Sequence, residues 1–157
     1  MEKVLERFNA LRIQEKSILV AGLVLLVDGF LPWYSVDLGL VSFTANGWEA
    51  PGAFWSILAI LIGAAMAGVI IARAFTDVKL PDEVAGMSWP KIHLGAGAAV
   101  LGLLLVKLLL ESNYIGFGFY VGMLAALALA GSGFWLYREE QASEKPAATD
   151  EGSSLHG

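Results

Sequence analysis

Cysteine is absent from all 157 residues. Disulfides, thiolate nucleophiles and cysteine-ligated metals are therefore excluded. Histidine is nearly absent: His93 lies near the start of an apolar run and His156 in a polar tail. His93 reads as an interfacial hydrogen-bonder rather than a metal ligand. No Ser-His-Asp set, glycine-rich phosphate loop, HExxH or paired carboxylates occur. No catalytic, cofactor-binding or metal residue is assigned, and the chain is expected not to be an enzyme. There is also no dense basic patch, which removes nucleic acid as a partner.

What the chain has instead is apolar sequence. Hydrophobic residues make up 57%, against about 45–50% in soluble domains. They gather in four runs at about 17–34, 54–75, 92–110 and 116–137. A bilayer core of ~30 Å needs ~20 such residues per helix. The stretch from Leu58 to Ile71 has no polar stripe, as a soluble bundle would require. The fold predicted is an all-α membrane protein, an antiparallel four-transmembrane-helix bundle over residues 17–138. The segment before the first run carries Glu2, Glu6 and Glu15, and no small-x-small site follows Trp33-Tyr34. The first run is therefore expected to be retained as a span rather than cleaved.

Orientation follows from the basic residues, which favour the cytoplasmic side. Lys3, Arg7, Arg12 and Lys16 precede the first run, and none occurs between the first two runs. Arg73, Lys79 and Lys91 flank the second connection, and Arg138 and Lys145 follow the fourth run. Both termini are thus expected in the cytoplasm, with Lys107 the one exception inside a run. Trp33, Tyr34, Trp55 and Tyr114 would mark the outer interface, and Trp89, Trp135 and Tyr137 the inner one.

Residues 1–16 place Val4, Leu5, Phe8 and Leu11 at helical spacing among charges. They form either a cytoplasmic amphipathic helix on the inner leaflet or an extension of the first span. The first outer connection alternates apolar and polar residues around Gly39 and ends at Asn46-Gly47, which predicts a small β-hairpin. Trp48 follows as an interfacial anchor or a partner contact. Ser88 and Pro90 mark the start of the third helix. The short connection at 111–115 makes the third and fourth helices antiparallel neighbours. Residues 139–157 are acidic, rich in Ala, Ser and Gly, and expected to be disordered.

Two charges lie within the runs. Asp28 is ~17 Å and Lys107 ~23 Å from the cytoplasmic face at 1.5 Å per residue. Three readings stand: a structural ion pair between them, independent snorkelling, or a proton- or ion-handling site. Glu111, one turn beyond Lys107, would share that lysine. Small residues at Gly118, Gly122, Ala126 and Ala130 form a ridge for close helix packing. The second run offers Ala64 and Gly68, and the third Gly95, Gly97 and Gly102.

Phe30-Leu-Pro-Trp-Tyr34 followed by Asn46-Gly-Trp48 resembles a pattern in small, uncharacterised four-helix membrane proteins of actinobacteria. Lys107 and the opening Gly116-Phe-Gly-Phe-Tyr-Val-Gly122 extend the resemblance. It implies a bacterial plasma membrane location and the same topology, but no activity. The expected function is a non-enzymatic structural or accessory subunit of a cell-envelope complex, in contact with lipid and with another membrane protein or a second copy. The alternative is a small transporter or channel subunit using Asp28 and Lys107.

Overall fold

The computed structural model describes residues 1–49 and 52–154, with side chains described as far as residue 144. The last three residues of the expected tail, His156 among them, lie outside the described residues. So do Ala50 and Pro51, where the chain was expected to enter the second run.

Among the described residues, five helices and two short hairpins make up the fold. They are α1 (Glu2–Ala10), α2 (Ile13–Asp28), β1 (Pro32–Asp37), β2 (Ser42–Asn46), α3 (Ala53–Phe75), β3 (Glu83–Val84), β4 (Met87–Ser88), α4 (Trp89–Leu110) and α5 (Phe117–Ser154). Three of them, α3, α4 and the apolar part of α5, are long and apolar enough to cross a membrane. Contacts run from α2 to α3, α3 to α4, α4 to α5 and α5 back to α2, closing a ring. Ile18, Leu25, Ile60, Ile70, Val100, Leu104 and Leu129 fill its axis.

The N-terminal segment resolves into a separate helix. The chain is extended at Leu11 and Arg12, and the Glu15 carboxylate then accepts the Arg12 N–H at 3.1 Å. A carboxylate reaching back from the third helical position satisfies a donor that would otherwise be orphaned at a helix start. No residue of α1 is buried.

The first run was expected to be helical to residue 34, but α2 stops at Asp28. Its 16 residues give about 24 Å of helix. The physical reason is a turn that takes over the terminal carbonyls. Leu31 N–H and the Trp33 indole N–H both donate to Asp28 O at 2.9 Å, and Gly47 N–H donates to Gly29 O at 2.9 Å. Pro32 then opens β1 instead of continuing the helix.

The predicted hairpin between the first two runs is present. Tyr34 pairs with Ala45, Val36 with Phe43 and Asp37 with Ser42, with an irregularity between Pro32 and Tyr34. At its tip, Asp37 Oδ1 accepts the Gly39 N–H at 2.9 Å, and Gly39 sits at φ 84°. Asn46 Oδ1 accepts the N–H groups of Trp48 and Glu49 and turns the chain toward α3. A second hairpin, β3–β4, was not foreseen in the polar connection. Its turn residues Ala85 and Gly86 both have positive φ, at 53° and 77°, the signature of a two-residue primed turn.

The fourth helix also departs from expectation. A disordered tail was predicted from residue 139, yet α5 continues to Ser154. Its first tail turn is tied down: Gln14 Nε2 donates to Glu139 Oε1 at 2.8 Å, and the Ser88 hydroxyl donates to Glu140 at 2.8 Å. Arg12 lies 3.6 Å from Glu139. Composition alone could not show these long-range partners.

Close packing uses some of the small residues named from sequence and not others. A Cβ on Gly22 of α2 would stand 2.5 Å from Gly63 O of α3, so the two backbones touch there. Gly68, Gly95 and Gly102 instead face open space. Along α5, Gly118 and Gly122 meet the start of β1, Ala126 is fully buried and Ala130 meets Gly97 of α4. The ridge faces inward along its whole length.

Candidate functional site

The polar residues predicted inside the runs come together at the hairpin end, but not as predicted. Two separate arrangements form there, divided by the root of β1.

The first surrounds Lys107, which is 0% exposed. Its ammonium donates to Gly52 O at 3.2 Å and to Glu111 Oε2 at 3.3 Å, and lies 5.3 Å from the centre of the Tyr34 ring. Tyr34 O–H donates to the same Glu111 Oε2 at 3.1 Å. Gly52 adopts a left-handed conformation, φ 63°, which aims its carbonyl at the lysine. The Lys107–Glu111 pair thus joins the end of α4, the root of β1 and the residue that precedes α3. Burial, reinforced by the Glu111 hydrogen bond and charge, pushes the Tyr34 hydroxyl above the usual phenol range. The sharing of Lys107 by Glu111 was legible from their i,i+4 spacing. Tyr34 was missed, because an aromatic at a run's end reads as an interfacial anchor.

The second surrounds Asp28, which is 1% exposed. Its carboxylate faces α5: a Cβ on Gly122 would lie 2.7 Å from Asp28 Oδ2. Neither carboxylate oxygen has a hydrogen-bond partner among the described residues. The expected Asp28–Lys107 ion pair is absent among the described residues, where Lys107 pairs with Glu111. Trp33 stands beside Asp28, fully buried and edge-on to Phe119 at 5.6 Å. Trp33 is therefore core, not the interfacial marker that its position suggested.

Trp48 is half-buried and packs on Phe30 at 5.7 Å, with its indole nitrogen buried and unpartnered among the described residues. Exposed apolar side chains at this end include four on the hairpin, Leu38, Leu40, Val41 and Phe43, at 68%, 99%, 52% and 60% exposure, beside Phe30, Phe54 and Leu109 on the neighbouring elements.

Further hydrogen bonds run along the hairpin root. Ser35 N–H donates to Tyr114 O at 2.9 Å, Gly116 N–H to Trp33 O at 2.7 Å, and the Ser56 hydroxyl to Gly47 O at 2.6 Å. This arrangement can hold a loop rigidly. The cavity at the opposite end, lined by Arg12, Arg73 and His93, does not include Asp28 or Lys107 in its lining. Comparison of the chain with protein-family models, curated proteins and solved structures gives no match.

Proposed function

We propose that the chain is a non-enzymatic multi-pass protein of the bacterial plasma membrane, in which α2 to α5 form an antiparallel four-helix bundle. Both termini are cytoplasmic, and the protein serves as a structural or accessory subunit of an envelope complex. Three apolar helices, the ring of contacts that includes α2, and the sidedness of the basic residues support the topology. The resemblance to actinobacterial four-helix membrane proteins supports the bacterial setting. The observation that carries the functional reading is the hairpin. Its root is locked by Tyr34, Lys107 and Glu111, while its tip turns four large apolar side chains outward. A rigid mount under an exposed apolar edge suits docking of a partner protein.

Crosslinked pull-down from the source membrane tests this reading. A partner should copurify with the wild type and be lost from a Leu40→Asp, Phe43→Asp variant that stays folded. A strictly monomeric protein with no copurifying partner overturns it.

The unpartnered Asp28 carboxylate favours a second reading, a small transporter or channel subunit, because ionisable groups in spans mark conduction pathways. Reconstituted flux decides: Asp28→Asn should abolish it, and flux unchanged by that substitution removes the reading.

A further inference from the structure

At the end of the molecule opposite the β1–β2 hairpin lies a half-open cavity of about 420 Å³. The start of α2, the end of α3, the loop before β3 and the start of α4 enclose it. His93 lines it and is 2% exposed, yet neither ring nitrogen has a hydrogen-bond partner among the described residues. Buried polar groups in native proteins are almost always hydrogen-bonded. Both nitrogens are closed off as the ring stands, so a ligand in the cavity would supply what this ring lacks once the ring turns toward it.

Three further features face the same space. Arg73 lines it from the last turn of α3 and makes no salt bridge among the described residues. Arg12 lines it from the start of α2 and is held loosely, at 3.6 Å from Glu139. The third is the first turn of α4. Its N-cap residue, Ser88, makes no capping bond and directs its hydroxyl to Glu140. The first-turn amides of a 22-residue helix, those of Trp89 and Lys91 since Pro90 has none, thus stay uncapped by that side chain and can donate to an anion.

The charges limit which anion fits. Glu15 and Asp82 also line the cavity and balance the two arginines. A multiply charged phosphate would meet two carboxylates, whereas a singly charged phosphodiester bearing an amine satisfies both signs. The Trp89 indole N–H pins the loop over the site through Pro81 O at 2.8 Å. Ile70 and Leu136 make an apolar wall where a glycerol or acyl portion would rest.

We infer that this cavity binds a phosphodiester–amine group, its phosphate on Arg73, His93 and the α4 first turn and its ammonium on the two carboxylates. The chemistry is shared by a phosphatidylethanolamine headgroup and by soluble glycerophosphoethanolamine. The lipid source rests on the membrane reading above; the soluble source does not.

Native mass spectrometry of the full chain, released from detergent, separates them. The purified protein is offered phosphatidylethanolamine, phosphatidylglycerol, glycerophosphoethanolamine and inorganic phosphate in turn. Retention of phosphatidylethanolamine over phosphatidylglycerol by tenfold or more assigns the lipid. Binding of glycerophosphoethanolamine with no lipid preference assigns the soluble source. In either case Arg73→Gln, at an exposed position, and His93→Leu should each lower occupancy at least tenfold, with Glu49→Gln at the far end, also exposed, as the unchanged control. Should the buried His93 variant fail to fold, Arg73→Gln and Asp82→Asn carry the test. Equal retention of all four probes, or retention unaltered in Arg73→Gln, overturns the inference.

Discussion

Replacing Glu111 with leucine should be the most damaging single change at the hairpin end. Lys107 has no exposed surface, and its ammonium is 3.3 Å from Glu111 Oε2. At an effective dielectric near 20, that separation gives a gross attraction of roughly 5 kcal/mol. Glu111 keeps 25% of its side chain exposed, so solvent screening takes part of this away. Removing one partner of a buried pair typically destabilises by about 3–5 kcal/mol, because the other charge stays buried. Tyr34 also loses its acceptor, which adds about 1 kcal/mol. Screening and the lost hydrogen bond roughly offset, leaving a loss of about 3–4 kcal/mol. Lys107→Met removes the buried charge itself and leaves a carboxylate that water can reach, so its effect should stay below about 1.5 kcal/mol. The double variant should then resemble Lys107→Met, because no stranded ammonium remains. Unfolding in detergent micelles by titrated SDS, followed by tryptophan fluorescence, measures all three. If the two single changes prove equally harmful and simply add, the pairing does not govern this end of the molecule.

Three other outcomes follow from the packing. Gly22→Ala, which sets a methyl group against the Gly63 carbonyl, should lose about 1–3 kcal/mol, whereas Gly68→Ala, facing open space, should gain about 0.5–1 kcal/mol from helix propensity; the same SDS titration compares them, and equal effects would refute the α2–α3 contact. Asp28→Asn should leave stability unchanged or raise it, since the carboxylate has no hydrogen-bond partner among the described residues; a loss above about 1 kcal/mol in that titration would reveal a partner worth a net hydrogen bond. The raised Tyr34 hydroxyl contributes stability that is fully present below the ordinary phenol value and is lost as pH climbs from about 10 toward the higher folded value; Tyr34→Phe should flatten the alkaline loss seen by circular dichroism, and an unaltered slope would disprove the assignment.

Much of the fold was legible because it rests on local signals. Apolar runs located α3, α4 and most of α5, and Gly39 with Asn46-Gly47 bracketed the hairpin. Ser88 and Pro90 marked the start of α4. Other features depended on residues distant in the chain. The end of α2 at Asp28 is set by donors from Leu31, Trp33 and Gly47, and hydropathy does not distinguish a buried strand root from the last turn of a span. The first turn beyond residue 138 is tied to Gln14 and Ser88, far away in sequence. Within the site, the i,i+4 pair was readable and the cross-chain partners were not. Depth alone suggested that Lys107 would meet Asp28. The root of β1 comes between the two, directing one charge to α4 and the other to α5.

The β1–β2 hairpin has a lopsided perimeter. Near its base, β1 already shares its outward hydrogen bonds with the α4–α5 connection, through Tyr34 and Ile115 and through Ser35 and Tyr114. Among the described residues, the outward edge of β2, Ser42 to Asn46, has no strand paired to it and can offer its backbone groups to a newcomer. An incoming strand thus has one direction of approach, and two copies meeting there would form a two-fold pair with nowhere to add a third.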